Sequence, residues 1–216
     1  METVRLLLAA GANPNALDSE RKTPLHNALH PKAIPEVVEA LLAHGADPLI
    51  TMVKNENALD YALKVGNAAI TRLVLEQLPR GFMVGGRSDA YIEAAAPKDA
   101  VVGLQLLCSY GLVVGTRYPH GRVSPLHTAA RYGAAGVLEM CLSAGSSPNV
   151  RDRLGRTPLY MAARYNRPDA ITVLLRHGGD ATIADKDGVT PLRIAQQKNK
   201  KHAVAVLTTV IPQPNL

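Results

Sequence analysis

The chain has no tryptophan and a single phenylalanine, Phe82, beside seven tyrosines in 216 residues. That aromatic stock poorly suits a β-sandwich, which draws on aromatic and β-branched side chains. The abundance of Ala and Leu suits short, closely packed helices. Only two cysteines are present, Cys108 and Cys141, each inside a Leu-rich run. Two thiols exclude a disulfide framework, and cysteines alone cannot complete a four-ligand zinc site. They read as buried, reduced thiols of a cytoplasmic or nuclear protein. No apolar run approaches the ~18 residues a membrane span needs. The start, Met1-Glu2-Thr3-Val4-Arg5, leads to Gly11-Ala12-Asn13-Pro14, which lacks the look of a signal-peptidase site.

What is present is a core-forming composition, 47% hydrophobic, with a net charge of +6. Wholesale disorder is excluded at that apolar content. The charge is uneven: residues 1–88 hold nine basic and nine acidic groups, whereas 89–216 hold fifteen basic and nine acidic. A basic half points to an acidic partner without naming its kind.

Internal self-similarity decides the architecture. Ser124-Pro125-Leu126-His127-Thr128-Ala129-Ala130 aligns with Thr157-Pro158-Leu159-Tyr160-Met161-Ala162-Ala163, and both align with Thr190-Pro191-Leu192-Arg193-Ile194-Ala195, in steps of 33 residues. Thr23-Pro24-Leu25-His26 is a further copy. Thr or Ser before Pro is an N-cap followed by proline at the first helical position, where its missing N–H costs nothing. After each copy comes a Leu/Val run that stops at glycine: Val37–Gly45, Val137–Gly145 and Ile171–Gly178. The spacing predicts a second helix ended by a left-handed glycine, then a polar turn reaching the next N-cap. Such a helix pair can bury its apolar faces only against neighbouring pairs.

Thr-Pro-Leu-His followed by Ala, a Leu-Leu helix, Gly-Ala-Asp and a 33-residue period resembles the ankyrin repeat over nearly the whole chain. The resemblance implies an all-α solenoid of stacked antiparallel helix pairs joined by β-hairpin-like turns, with about six repeats after an N-terminal half repeat. The expected organisation is one domain, 1–216. It comprises a half repeat at 1–22, repeats at 23–56, 57–88, 89–123, 124–156 and 157–189, and a C-terminal capping repeat at 190–216. The copies beginning at Asn57 and Asp89 are degenerate, lacking both Pro and His. Residues 3–15 match only the second half of a repeat, as in a fragment of a longer array or a lone capping helix. At the other end the polar run Gln196–Lys201 suits a solvent-facing cap.

In the family, partners contact the turn tips and the outward positions of each first helix. Carried onto this sequence, that places a protein-binding surface on Arg122, Arg131, Tyr132, Arg151, Arg153, Arg156, Arg164, Tyr165, Lys186 and Lys198. Eight arginines fall between Arg117 and Arg167 against two acids, Glu139 and Asp152, and at least six are expected on one face. Arginine presents a planar fork of donors matched to carboxylate or phosphate, and Tyr with Arg is a composition of binding hot spots. The resemblance thus implies a monomeric intracellular scaffold binding an acidic or phosphorylated protein surface. Electrostatic binding of nucleic acid or anionic lipid, or service as a targeting segment of a larger protein, is the alternative.

Chemistry is not expected from this chain. There is no Ser/His/Asp set, no pair of carboxylates in a cleft, no metal-ligand cluster and no implied cofactor. Gly85-Gly86 lacks the spacing of a nucleotide loop. His26 and His127 are expected to bond the capping hydroxyl and nearby backbone, tying one turn to the next. His44 and His177 precede helix-ending glycines, where a cation suits the helix dipole. Two segments break the pattern, 79–88 and 111–119; irregular loops in a regular scaffold often carry function, and simple decay of the repeat is the alternative reading.

Overall fold

The computed structural model describes residues 2–30, 32–52, 55–78, 88–114 and 123–210. Arg122, Arg117 and Phe82, with most of the irregular segments 79–88 and 111–119, lie outside the described residues. The described residues are all-helical, without a strand. They fall into two compact units, Met1–Leu112 and Val113–Leu216.

The first unit begins with helix α1 (Glu2–Ala9), followed by the pairs α2 (Pro24–Ala28) and α3 (Pro35–Ala43), α4 (Ala58–Val65) and α5 (Ala68–Glu76), and α6 (Ser88–Ala95) and α7 (Val101–Ser109). A 3₁₀ turn, Ala96–Lys98, follows α6. The second unit holds α8 (Pro125–Tyr132) with α9 (Ala135–Ser143), α10 (Pro158–Arg164) with α11 (Pro168–Arg176), and α12 (Pro191–Gln197) with α13 (Lys201–Val210). In this unit α10 packs between α8 and α12, and α11 packs against α9 and α13. In the first unit α4 packs against α2 and α6, and α5 against α3 and α7. First helices therefore stack on first helices and second on second, as a solenoid requires.

Local chemistry sets these boundaries. Thr23, Ser124, Thr157 and Thr190 hold extended N-cap conformations, each followed by proline at the first helical position. Second helices α3, α9 and α11 end before Gly45, Gly145 and Gly178, whose φ angles are +85°, +95° and +83°. The Leu of the first three tetrads, Leu25, Leu126 and Leu159, is fully buried, as are Ala129, Ala130, Ala162 and Ala163. The alanines let the first helices approach closely while the leucines fill the core. From the second helices Val137, Leu138 and Cys141, and Ala170, Ile171 and Leu174, bury the i, i+3, i+4 stripe. Cys108 and Cys141 are both free thiols.

The tetrad histidines are architectural. The Ser124 backbone N–H donates to His127 Nδ1 at 3.0 Å, with the Ser124 hydroxyl 2.9 Å from the same nitrogen. Nδ1 therefore carries the lone pair, and the ring proton sits on Nε2, which donates to the Arg156 carbonyl at 2.9 Å. Burial lowers the His127 pKa and so favours this neutral ring. His26 accepts from the Thr23 N–H in the same way at 3.2 Å. Its Nε2 faces the Glu56 carbonyl without closing a bond of ordinary length. His44 meets the Ala40 carbonyl at 2.8 Å through Nδ1, at the end of α3. His177, at the end of α11, reaches back to Glu139 on α9 at 2.8 Å, beside an Arg176–Glu139 ion pair of 3.1 Å.

Candidate functional site

The turns that precede the first helices share one design. In the second unit the Asp152 N–H donates to the Arg156 carbonyl, and Asp152 Oδ1 accepts the N–H groups of Leu154 and Arg156, all at 2.9 Å. Asp185 does the same for Asp187 and Val189, and Asp18 for Glu20 and Lys22. The fourth residue of each turn has positive φ: Arg21, Gly155 and Gly188. The carboxylate thus substitutes for backbone partners that a tight turn cannot supply.

This design decides what two of the sequence-predicted arginines do. Arg156 is drawn onto Asp152, its Nε 2.8 Å and its second nitrogen 2.6 Å from Oδ2. Burial works against the Asp152 charge, yet the Arg156 side chain and the Arg156 and Leu154 amides hold its pKa below the usual carboxylate value. Arg151 donates from Nε to the Gly155 carbonyl at 3.0 Å and across to the Ala184 carbonyl at 2.7 Å. Both are pins that fix adjacent turns. Lys186 adds a backbone link, its N–H donating to the Leu154 carbonyl at 2.9 Å, while its side chain stays exposed.

The tip of the same turn is open to solvent. Arg153 is exposed, Leu154 is 53% exposed and Val123, on the preceding turn, is 58% exposed. Together with Asp152 and Arg156 they line a hollow of about 420 Å³. Val123 and Leu154 lie in the turns expected to meet a partner but are not among the residues singled out from the sequence. The available signal was an apolar residue standing where turn chemistry favours a polar one.

The remaining predicted residues gather at the C-terminal ends of the first helices. Arg131 and Tyr132 end α8, Arg164 and Tyr165 end α10, and Lys198 caps α12. The Arg131 guanidinium lies 5.8 Å from the centre of the Tyr132 ring and 5.1 Å from that of Tyr165, so two rings from successive repeats share one cation. Arg167 closes the end of α8 by donating Nε to the Arg131 carbonyl at 3.1 Å. Also on α10, Tyr160 is a largely buried residue with Asp185 and Arg164 nearby. Sequence reasoning gathered these arginines on one face. The structure arranges those described as a turn-tip cluster and a helix-end cluster, with the seven residues of α10 between them.

The stack of capped helix pairs agrees with a family model described as ankyrin repeats (3 copies), which matches residues 1–82 and 126–215. The chain belongs to the ankyrin-repeat family. Among solved structures, this ankyrin-repeat chain is similar to the human ASB11 ankyrin repeat domain, with a TM-score of 0.75 and 24% identity, covering 98% of this chain and 93% of that one. It is also similar to the ankyrin repeat domain of Bcl-3, with a TM-score of 0.66 and 21% identity, covering 96% and 91%. At those identities the likeness shows the fold alone. Among curated relatives, a probable E3 ubiquitin-protein ligase, XBOS34 of Oryza sativa subsp. japonica, is 33% identical over 102 residues, which is 45% of this chain and 20% of that protein. The mouse B-cell lymphoma 3 protein homolog is 29% identical over 158 residues, 70% of this chain and 34% of the relative. Human Rabankyrin-5 is 25% identical over 152 residues, 68% and 13%. The aligned region thus spans between about an eighth and a third of these relatives. Among the described residues no helix is long and apolar enough to cross a membrane, and no cluster of His, Cys, Asp and Glu could hold a metal ion.

Proposed function

We propose that this ankyrin-repeat chain is a non-catalytic scaffold that binds another protein, recognising an acidic or phosphorylated surface through its second unit. The observation that carries this reading is a contrast between the two units. In the first, two cations of the turns and first helices are paired from within: Lys22 with Glu20, and Lys64 with Glu56 at 2.6 Å. At equivalent positions of the second unit stand Arg156 and Arg131. Arg156 is satisfied by Asp152, but among the described residues neither Arg131 nor Arg153 has a carboxylate at ion-pair distance. Their forks remain available for a partner's acid, beside tyrosine and exposed apolar surface that such a partner can cover. Two free thiols support a reducing compartment, cytoplasm or nucleus, and we take the chain to act as a monomer.

The experiment is affinity capture with the wild-type chain and with a variant carrying Arg131→Glu, Arg153→Glu and Arg164→Glu, followed by mass spectrometry. Arg156 is left untouched because it pins its turn. The reading expects specific protein partners to be lost with the charge reversals while the thermal midpoint is retained. Unchanged capture rejects the surface. Equal binding to a DNA duplex or to phosphatidylserine vesicles, with a steep fall in affinity as salt rises, would instead favour the electrostatic alternative.

A further inference from the structure

We infer that the partner is engaged at two separate points by one segment: a carboxylate beside an apolar side chain at the turn tip, and a second carboxylate at the helix ends. This inference rests on the acidic-partner reading and specifies its chemistry.

The two clusters have matching compositions. At the tip, Arg153 is flanked by Val123 and Leu154, both more than half exposed, around the hollow of about 420 Å³. At the helix ends, Arg131 is flanked by Tyr132, 44% exposed, and by Tyr165. Each is a cation set in apolar or aromatic surface. There a carboxylate is held more strongly than on an open polar face, because the surrounding groups exclude water from the pair.

The clusters cannot converge on one anion. The pins Arg151 and Arg156 fix the turn at the N-terminal end of α10, and the shared cation of Arg131 over two rings fixes the other end. Seven helical residues stand between, roughly 10 Å at ~1.5 Å per residue. Extended chain covers that in about three residues. Between the clusters Tyr160 is buried and offers little surface, with Asp185 of the next turn nearby. Asp185 adds a negative charge there. A carboxylate in the middle of the partner segment gains little, whereas one at each end meets an open fork.

Synthetic dodecapeptides test this against the full chain by fluorescence polarisation. The probe carries Leu-Asp and, on its C-terminal side, a second Asp, the two acids separated by two Ala/Ser residues so that they stand about three extended residues apart. Controls replace either Asp by Asn, or set the two acids adjacent. We expect the two-acid probe to bind at least tenfold more tightly than any control, since the second contact is made at high effective concentration. Arg131→Gln and Arg153→Gln, both at exposed positions, should each reduce the two-acid probe to the affinity of the single-acid controls. Circular dichroism should confirm that both variants fold. Equal affinity of separated and adjacent acids, with both variants still defective, overturns the two-point arrangement and leaves the acidic-partner reading standing. Failure of every peptide to exceed the single-acid controls overturns it as well, while lysate capture decides the broader reading independently.

Discussion

His127 in α8 donates its Nε2 proton to the backbone carbonyl of Arg156, 29 residues away on the next turn, at 2.9 Å. The same ring takes the Ser124 N–H at its other nitrogen. One neutral imidazole therefore caps its own helix and holds the following repeat. Tyr160 stands at the same position one repeat later, with Asp185 of the next turn nearby.

Stability should depend on the charge state of this histidine. Burial depresses the His127 pKa below its ordinary 6.5, against smaller opposing effects from the Arg156 carbonyl and Asp152. Above pH 6.5 the ring is neutral folded and unfolded, and its full contribution is present. As pH falls from there toward the folded value, the unfolded chain takes up the proton first, and stability is lost. Urea unfolding at pH 7.5 and pH 5.5 should show the native state weaker at the lower pH, with a smaller difference in His127→Gln. An identical difference in that variant would assign the pH dependence to other groups.

Asp152 and Arg156 should behave unequally when each is removed. Asp152→Ala leaves the Leu154 and Arg156 amides without their acceptor and Arg156 without its counter-charge. We expect a loss of about 2–3 kcal/mol, the range for an unpaired, largely buried partner. Arg156→Met keeps the aliphatic packing and leaves Asp152 its two backbone donors, so it should cost about 1 kcal/mol. Chemical denaturation of the two variants checks the order, and a reversed order would show that the guanidinium rather than the carboxylate organises the turn.

Glycines at positive φ should separate into two classes. A methyl added at Gly145 meets nothing within 4 Å, so only backbone strain opposes Gly145→Ala, about 1 kcal/mol. Gly145→Asn should cost less, since Asn tolerates the left-handed region. At Gly155 the methyl would stand 2.9 Å from an Arg151 guanidinium nitrogen and 3.2 Å from the Lys186 amide nitrogen. Gly155→Ala should therefore exceed Gly145→Ala and also loosen the contact between turns. Thermal unfolding with hydrogen exchange at 184–186 measures both effects.

The helix pairs were legible because their signals are local. Thr-Pro starts a helix and Gly ends one within a few residues, and the 33-residue period repeats both. Links between repeats were less so. The pairing of His127 with its cap was readable from the tetrad, but Arg151 reaching Ala184 spans 33 positions and exists only once turns are stacked. The Asp152–Arg156 pair was hinted at by aspartates recurring at 18, 152 and 185, yet a polar turn looks the same whether it is solvated or internally bonded. For that reason the arginines read as one uniform surface, whereas the fold commits Arg151 and Arg156 to holding turns and leaves Arg153 and Arg131 facing outward.

The most direct measurement is the footprint of a captured partner by hydrogen–deuterium exchange, with side-chain labelling of the arginines. The account predicts protection at 123, 131–132, 153–154 and 164–165, with little change on α9, α11 and α13. A footprint confined to those second helices, or to the first unit, would contradict it.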